Sequence, residues 1–161
     1  MVSSAISRLG SQRRTVLLVE DSPADVRLVR EAFAEARVPV ELHVAWDGDG
    51  ALRFLKREGE YAGMPKPDLV LLDLNLPGTD GRDVLRAVKG DPQLAHLPIV
   101  VLTSSVAQAD VDIAYRLAAN CYLSKPVDLD EYLSLMKLFE QFWLEAARLP
   151  NEYRANSCQP L

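Results

Sequence analysis

Leu69-Val-Leu-Leu-Asp-Leu-Asn-Leu-Pro-Gly-Thr-Asp-Gly81 decides the fold. Four apolar residues run without alternation into Asp73. A short unbroken apolar run bounded by turn residues suits a strand buried on both faces, although pattern alone leaves a buried helix segment open. Pro77, Gly78 and Gly81 then stop regular structure. Asp73 is therefore expected at the carboxyl end of a central strand, where open α/β sheets place their ligands. A carboxylate there is costly unless a positive group faces it.

Upstream, Thr15–Val19 is apolar enough for a first strand, closed by Glu20-Asp21-Ser22-Pro23. Ser22 is a helix cap and Pro23 fits a first helical position. Val26, Val29, Phe33 and Ala36 follow at helical spacing. Val40–Ala45 reads as a second strand, Asp47-Gly48 as a turn, and Ala51, Leu52 and Leu55 as the inner side of a second helix. Residues 57–67, with two Gly and two Pro, form an exposed loop. Downstream, Gly81 opens a third helix carrying Val84, Leu85 and Val88. Ile99–Leu102 is a fourth strand, followed by Thr103-Ser-Ser105, whose serines are suited to cap a fourth helix with Val111, Ala114 and Leu117 on one side. Asn120–Leu123 is a fifth strand, ended by Ser124-Lys-Pro126. Asp128 or Asp130 then starts a long helix to about Ala147.

Strand and helix alternate five times, which gives a five-stranded parallel sheet with helices on both faces. The 161 residues allow one domain, expected over residues 15–149, between a flexible arm (1–14) and a flexible tail (150–161). A content of 48% hydrophobic and 25% charged residues is ordinary for a globular chain. The net charge of −5 gives no electrostatic reason to bind nucleic acid. No apolar run approaches the ~18 residues of a membrane span. Arg13-Arg14 resembles the start of a twin-arginine export signal, but the apolar run after it stops at Glu20-Asp21, so a cytoplasmic location is expected. Cys121 and Cys158 have no metal or framework spacing and read as free thiols.

Parallel strands bring their polar ends to one edge: Glu20-Asp21, Asp73, Thr103 and Lys125. Three carboxylates converging there repel each other. A hard divalent cation and an ammonium group relieve that. Oxygen-only ligands with open water positions suit Mg²⁺ rather than zinc, and Lys125 supplies the ammonium.

These residues carry a resemblance. Leu18-Val-Glu-Asp-Ser-Pro23, Leu72-Asp-Leu-Asn-Leu-Pro-Gly-Thr-Asp-Gly81, Leu102-Thr-Ser104 and Tyr122-Leu-Ser-Lys-Pro126, in that order and at fitting separations, resemble the receiver domain of two-component response regulators. The resemblance implies a flavodoxin-like fold of strand order 2-1-3-4-5. It implies that Asp73 takes a phosphoryl group from a kinase histidine. Mg²⁺ would be held by Glu20, Asp21, Asp73 and the backbone carbonyl of Asn75. Lys125 would pair with Asp73 and later with the phosphate. Thr103 would donate to a phosphate oxygen once that oxygen exists, and Tyr122 would follow it inward as the switch aromatic, carrying the helix 4, strand 5 and helix 5 surface. The Lys125–Pro126 bond would be cis, an isomer proline permits. One departure stands out: Leu117-Ala-Ala-Asn120 lacks the glycine usual before the fifth strand, so Asn120 is a candidate for the left-handed turn.

In the last helix, at ~100° per residue, apolar side chains cover an arc of roughly 240°, wider than the ~100–150° an outer helix needs. The excess includes Leu135, Leu138, Phe139 and Phe142, which points to a homodimer through this helix. Val19-Glu-Asp-Ser-Pro-Ala-Asp25, Asp73-Leu-Asn-Leu-Pro77, the Gly/Pro loop before Asp68 and Phe142-Trp-Leu144 resemble the stand-alone regulators of bacterial phytochromes, which implies a light-regulated histidine kinase as donor. No DNA-binding helices are expected after residue 150.

Three other readings fit the residues less well. A phosphatase of the haloacid-dehalogenase kind passes through an aspartyl phosphate but wants Asp-x-Asp, and Asn75 cannot act as its general acid. A nucleotide-binding fold would follow its first strand with glycines rather than Glu-Asp-Ser-Pro. A receiver-shaped scaffold that is never phosphorylated would not need the complete residue set. The protein is therefore expected to be no enzyme beyond its own phosphotransfer and autodephosphorylation.

Overall fold

The unbroken apolar runs become strands β1 (Arg14–Val19), β2 (Val40–Ala45), β3 (Leu69–Leu72), β4 (Ile99–Thr103) and β5 (Cys121–Ser124). In a computed structural model, which describes residues 13–150, all pairings are parallel and the order is β2-β1-β3-β4-β5, as expected. Helices α1 (Pro23–Ala34), α2 (Gly48–Lys56), α3 (Gly81–Gly90), α4 (Gln108–Arg116) and α5 (Leu129–Phe139) fill the connections, with a 3₁₀ turn at Gly59–Tyr61 inside the long loop.

The runs fail to alternate because both faces of the sheet are covered. Leu17, Val19, Val70, Leu72, Ile99 and Val101 pack into the core with α2 and α3. Their neighbours Val16, Leu18, Leu69, Leu71, Val100 and Leu102 turn the other way, toward α1 and α5. Each fully buried Val or Leu stabilises the fold by about 1.5–3 kcal/mol.

Four helices start on side-chain caps. Ser22 accepts from the Asp25 amide, Asp47 from Gly50, Asp80 from Arg82 and Asp128 from Glu131, so Asp128 rather than Asp130 opens α5. The expected serine cap on α4 is not there. The helix begins after Ala107 without a side-chain cap: Ser105 lies two residues too early, its Oγ accepting from the Ala107 amide at 3.3 Å and donating to Asp110 at 2.5 Å.

Several boundaries shift. β1 begins at Arg14, one residue before the expected domain start, because the Arg14 amide donates to Pro39 O at 2.8 Å and its guanidinium Nε to Leu144 O at 3.2 Å. Arg14 is thus a buried fold residue. The remainder of the expected arm and tail, residues 1–12 and 151–161, lies outside the described residues, as does Cys158. Cys121 is a half-buried free thiol. α1 ends at Ala34 rather than Ala36. The left-handed residue before β5 is Ala118, with φ 68°, not Asn120. Asn120 is already committed to the sheet: its amide donates to Ile99 O, and its Oδ1 accepts from the Ile99 amide and Lys89 Nζ.

The last helix also departs from expectation. α-Helical geometry ends at Phe139 and a π turn runs over Glu140–Ala146, closed by an Ala147 amide to Phe142 O bond of 2.7 Å. With this turn Leu144 is buried in the core with α1. Phe139, expected in the exposed excess, is buried and stacks on Phe33 at 6.0 Å between centroids, and Leu135 packs partly against the same core. Leu129, Leu138 and Phe142 remain exposed. No helix among the described residues is long and apolar enough to cross a membrane.

Candidate functional site

The strand register brings the site together. Val19 is level with Leu72, Leu72 with Val101, and Thr103 with Ser124. One residue beyond the strands the backbone stays tied to the ladder: Glu20 N donates to Ala45 O, Asp73 N to Val19 O and Lys125 N to Thr103 O. Glu20 and Asp73 therefore leave the sheet at one level, with Thr103 one residue and Lys125 two residues further along their strands, all on one edge.

Asp73, Glu20 and Thr103 are buried, while Asp21 is exposed. One carboxylate oxygen from each of Glu20, Asp21 and Asp73 lies within 4.8 Å of the others. At an effective dielectric of ~20 each ionised pair at that range costs roughly 3–4 kcal/mol. Lys125 Nζ answers three carboxylates at once: Glu20 Oε2 at 2.6 Å, Asp25 Oδ2 at 2.9 Å and Asp73 Oδ2 at 3.0 Å. Asp73 Oδ1 accepts from the Asn75 amide at 3.0 Å and from Thr103 Oγ1 at 2.9 Å. Glu20 Oε1 accepts from the Ser22 amide at 3.0 Å.

Titration follows this geometry. Burial pushes the Glu20 carboxyl up to about 7, against the opposing pull of Lys125 and the Ser22 amide, and the Asp73 charge adds to the rise. Burial on its own would lower Lys125. The hydrogen bonds to Glu20 and Asp25 and the charge of Asp73 outweigh it and hold the ammonium above its usual range. Three carboxylates share one ammonium, Asp21 adds a fourth negative charge without touching it, and the acids that meet at the edge offer oxygen donors only. Surplus negative charge, a Glu20 that burial resists ionising and an all-oxygen donor set fit a hard divalent cation such as Mg²⁺.

A second network holds the loop after Thr103. Ser105 O accepts from Tyr122 Oη at 2.9 Å and from Ser124 Oγ at 3.3 Å. Asp110, bonded to Ser105 Oγ, also takes Arg82 Nη2 at 2.5 Å, which ties α4 to α3.

All the residues expected at the site converge on this edge, with Tyr122 reaching it through Ser105. Two details differ from expectation. Thr103 is not waiting for an acceptor, since its hydroxyl already donates to Asp73 Oδ1. The Lys125–Pro126 bond is trans, as are all the described peptide bonds; proline tolerates both isomers and trans is the intrinsically favoured one. Sequence reasoning assigned no role to Asp25 or to the Arg82–Asp110 pair. The signal for Asp25 was the Ser22 cap three residues earlier, which seats it in the first turn of α1, beside the end of β1.

A parallel 2-1-3-4-5 sheet with an acid cluster, a lysine and a buried threonine at its carboxyl edge defines a phosphoacceptor domain. The chain belongs to the response regulator receiver domain family, which matches residues 16–137. It is 46% identical over 137 residues to response regulator Rcp1 of Synechocystis, covering 85% of this chain and 93% of that protein. A solved structure of the phosphorylated cyanobacterial phytochrome response regulator RcpA superposes with a TM-score of 0.84 at 45% identity, covering 86% of this chain and 99% of that one. The Mn²⁺-bound form of Rcp1 gives 0.82 at 46%, covering 85% and 99%.

Proposed function

We propose that Asp73 accepts a phosphoryl group from the phosphohistidine of a kinase. A carboxylate oxygen of Asp73 attacks phosphorus, the P–N bond breaks with its electron pair going to nitrogen, and the imidazole leaves neutral, its other ring nitrogen already carrying the proton. Lys125, already on Asp73 Oδ2, stabilises the charge that gathers on the phosphoryl oxygens. Mg²⁺, held by Glu20, Asp21, Asp73 and the Asn75 carbonyl, supplies further charge neutralisation. The observation that carries this reading is the triple contact of Lys125 with three acids at one strand edge.

The switch follows from Thr103. Acylation turns an Asp73 oxygen into a poor acceptor and offers several better ones on phosphorus. Thr103 changes acceptor and draws on the loop whose Ser105 carbonyl Tyr122 grips, so the α4, β5 and α5 surface shifts population. The similarity to RcpA and Rcp1 supports a phytochrome-type histidine kinase as donor, in a cytoplasmic setting. Leu138 and Phe142, 64% and 59% exposed, support a homodimer through the last helix.

Acetyl phosphate with Mg²⁺ tests the phosphoacceptor reading. Mass mapping should find the modification on Asp73 and none on Asp73→Asn. Label on that variant at the wild-type level would contradict the assignment. Sedimentation tests the dimer: a concentration-dependent dimer should become monomer in Leu138→Glu, and a wild-type monomer at tens of micromolar would exclude it.

A further inference from the structure

Among the described residues, Asp25 is the one acid on Lys125 that lies outside the cluster able to hold a metal. The other two, Glu20 and Asp73, serve both. A dication and an ammonium that share the same two carboxylates compete for them and repel each other. Yet phosphoryl transfer uses both positive charges together. The site needs an anchor for the ammonium that the cation does not claim.

We infer that Asp25 is this anchor, a positioning residue that keeps Lys125 in the site while Mg²⁺ occupies Glu20, Asp21 and Asp73. The geometry suits the role. Asp25 sits in the first turn of α1, its amide held by Ser22 Oγ at 3.3 Å, on a helix packed into the core through Val26 and Val29. Its Oδ2 takes one of the three ammonium protons at 2.9 Å, the other two going to Glu20 and Asp73. When the cation draws on those two acids, the bond to Asp25 is the one left untouched. Beside it the Tyr132 phenol, 3% exposed and without a hydrogen-bond partner among the described residues, feels the charges of Lys125, Asp25, Glu20 and Asp73.

The inference rests on the Mg²⁺ site proposed above, and the test separates the two. Mg²⁺ affinity is measured by calorimetry in wild type, Asp25→Asn, Lys125→Met and the double variant. Asp25→Asn should weaken binding about 3- to 10-fold when Lys125 is present, because the lysine then competes for Glu20 and Asp73. In the Lys125→Met background the same change should weaken it less than 2-fold. Equal weakening in both backgrounds, or none with Lys125 present, would overturn the role. Should Lys125→Met fail to fold, the ammonium resonance of Lys125 decides by NMR. It should stay protected from exchange in wild type with saturating Mg²⁺ and be lost in Asp25→Asn with Mg²⁺. Protection retained in the variant, or lost in wild type, refutes the anchor. A wild-type protein that binds no Mg²⁺ removes the metal site itself, and the inference with it.

Discussion

Alanine at Gly81 is the sharpest perturbation of the frame that carries Asp73. Its methyl carbon would lie 2.3 Å from the Asp73 carbonyl oxygen, 2.6 Å from Leu74 Cα and 3.0 Å from Leu74 O. All three are backbone atoms, so no side chain can rotate away. Comfortable carbon contacts need about 3.5–4.0 Å, so the first turn of α3 has to retreat by roughly 1 Å. That retreat also strains the Gly81 amide bond to Leu74 O, now 3.0 Å. Alanine's helix preference returns up to about 1 kcal/mol. Overpacking costs about 1–3 kcal/mol and a weakened hydrogen bond about 1 more. The clash prevails, and a net loss of about 2 kcal/mol is expected. Urea unfolding should show a midpoint about 1 M lower, for a slope of about 2 kcal/mol/M. Gly90→Ala, at the other end of α3 with nothing within 4 Å, is the control and should be neutral or stabilising. Acetyl phosphate labelling of the Gly81 variant should slow, because the loop behind Asp73 has moved. A Gly81→Ala protein as stable as Gly90→Ala would refute the packing argument.

Burial pushes Glu140 up to about 6, with Glu145 and Glu35 adding to the rise and Lys137 opposing it. The folded state then holds its proton more tightly than the unfolded chain, so this acid costs stability increasingly as pH rises from about 4.5 through 6. Glu140→Gln should therefore gain about 1–2 kcal/mol at pH 7.5 and little at pH 4.5, by urea unfolding at both. Glu20 has the same sign, and its raised value of about 7 predicts that metal-free stability falls between pH 4.5 and 7. Mg²⁺ at ~100 times its dissociation constant should restore about 2.7 kcal/mol at pH 7.5. Asp21→Asn should abolish most of that gain in a thermal melt without lowering metal-free stability, since Asp21 is exposed. Lys89 Nζ serves Ala95 O, Leu97 O and Asn120 Oδ1, so Lys89→Met should cost about 1–3 kcal/mol in the same urea assay.

What the sequence made legible was whatever chain-local chemistry dictates. Unbroken runs such as Leu69–Leu72, bounded by turn residues, suit strands between two helical layers, and parallel strands bring their ends to one edge, so Asp73, Glu20 and Lys125 could be placed together. Side chains whose partner is chosen by packing were not legible. Ser105 looked like a cap, yet α4 begins only after Ala107, and the Ser105 hydroxyl serves the Ala107 amide and Asp110 instead of the first turn's free amides. Asn120 looked like a left-handed turn, yet the Ile99 amide and Lys89 claim it. Phe139 looked exposed because the apolar arc of the last helix has no marked centre, yet it shares one helix face with Tyr132 and Met136, and that face meets Phe33. Asp25 was visible only as one of many acids, because its partner lies 100 residues away.

The bond from Arg14 to Leu144 O joins the first strand to the last helical turn. The match to the receiver family ends at residue 137, but Phe139, Leu144 and Leu149, beyond it, are sealed inside the molecule. A chain trimmed at that boundary would lose all three, uncover the core they cover, Phe33 included, and remove the carbonyl to which Arg14 Nε donates. Reporter fusions and domain swaps with other receivers accordingly need their junction beyond Leu149, so that the hybrid inherits the whole closing turn.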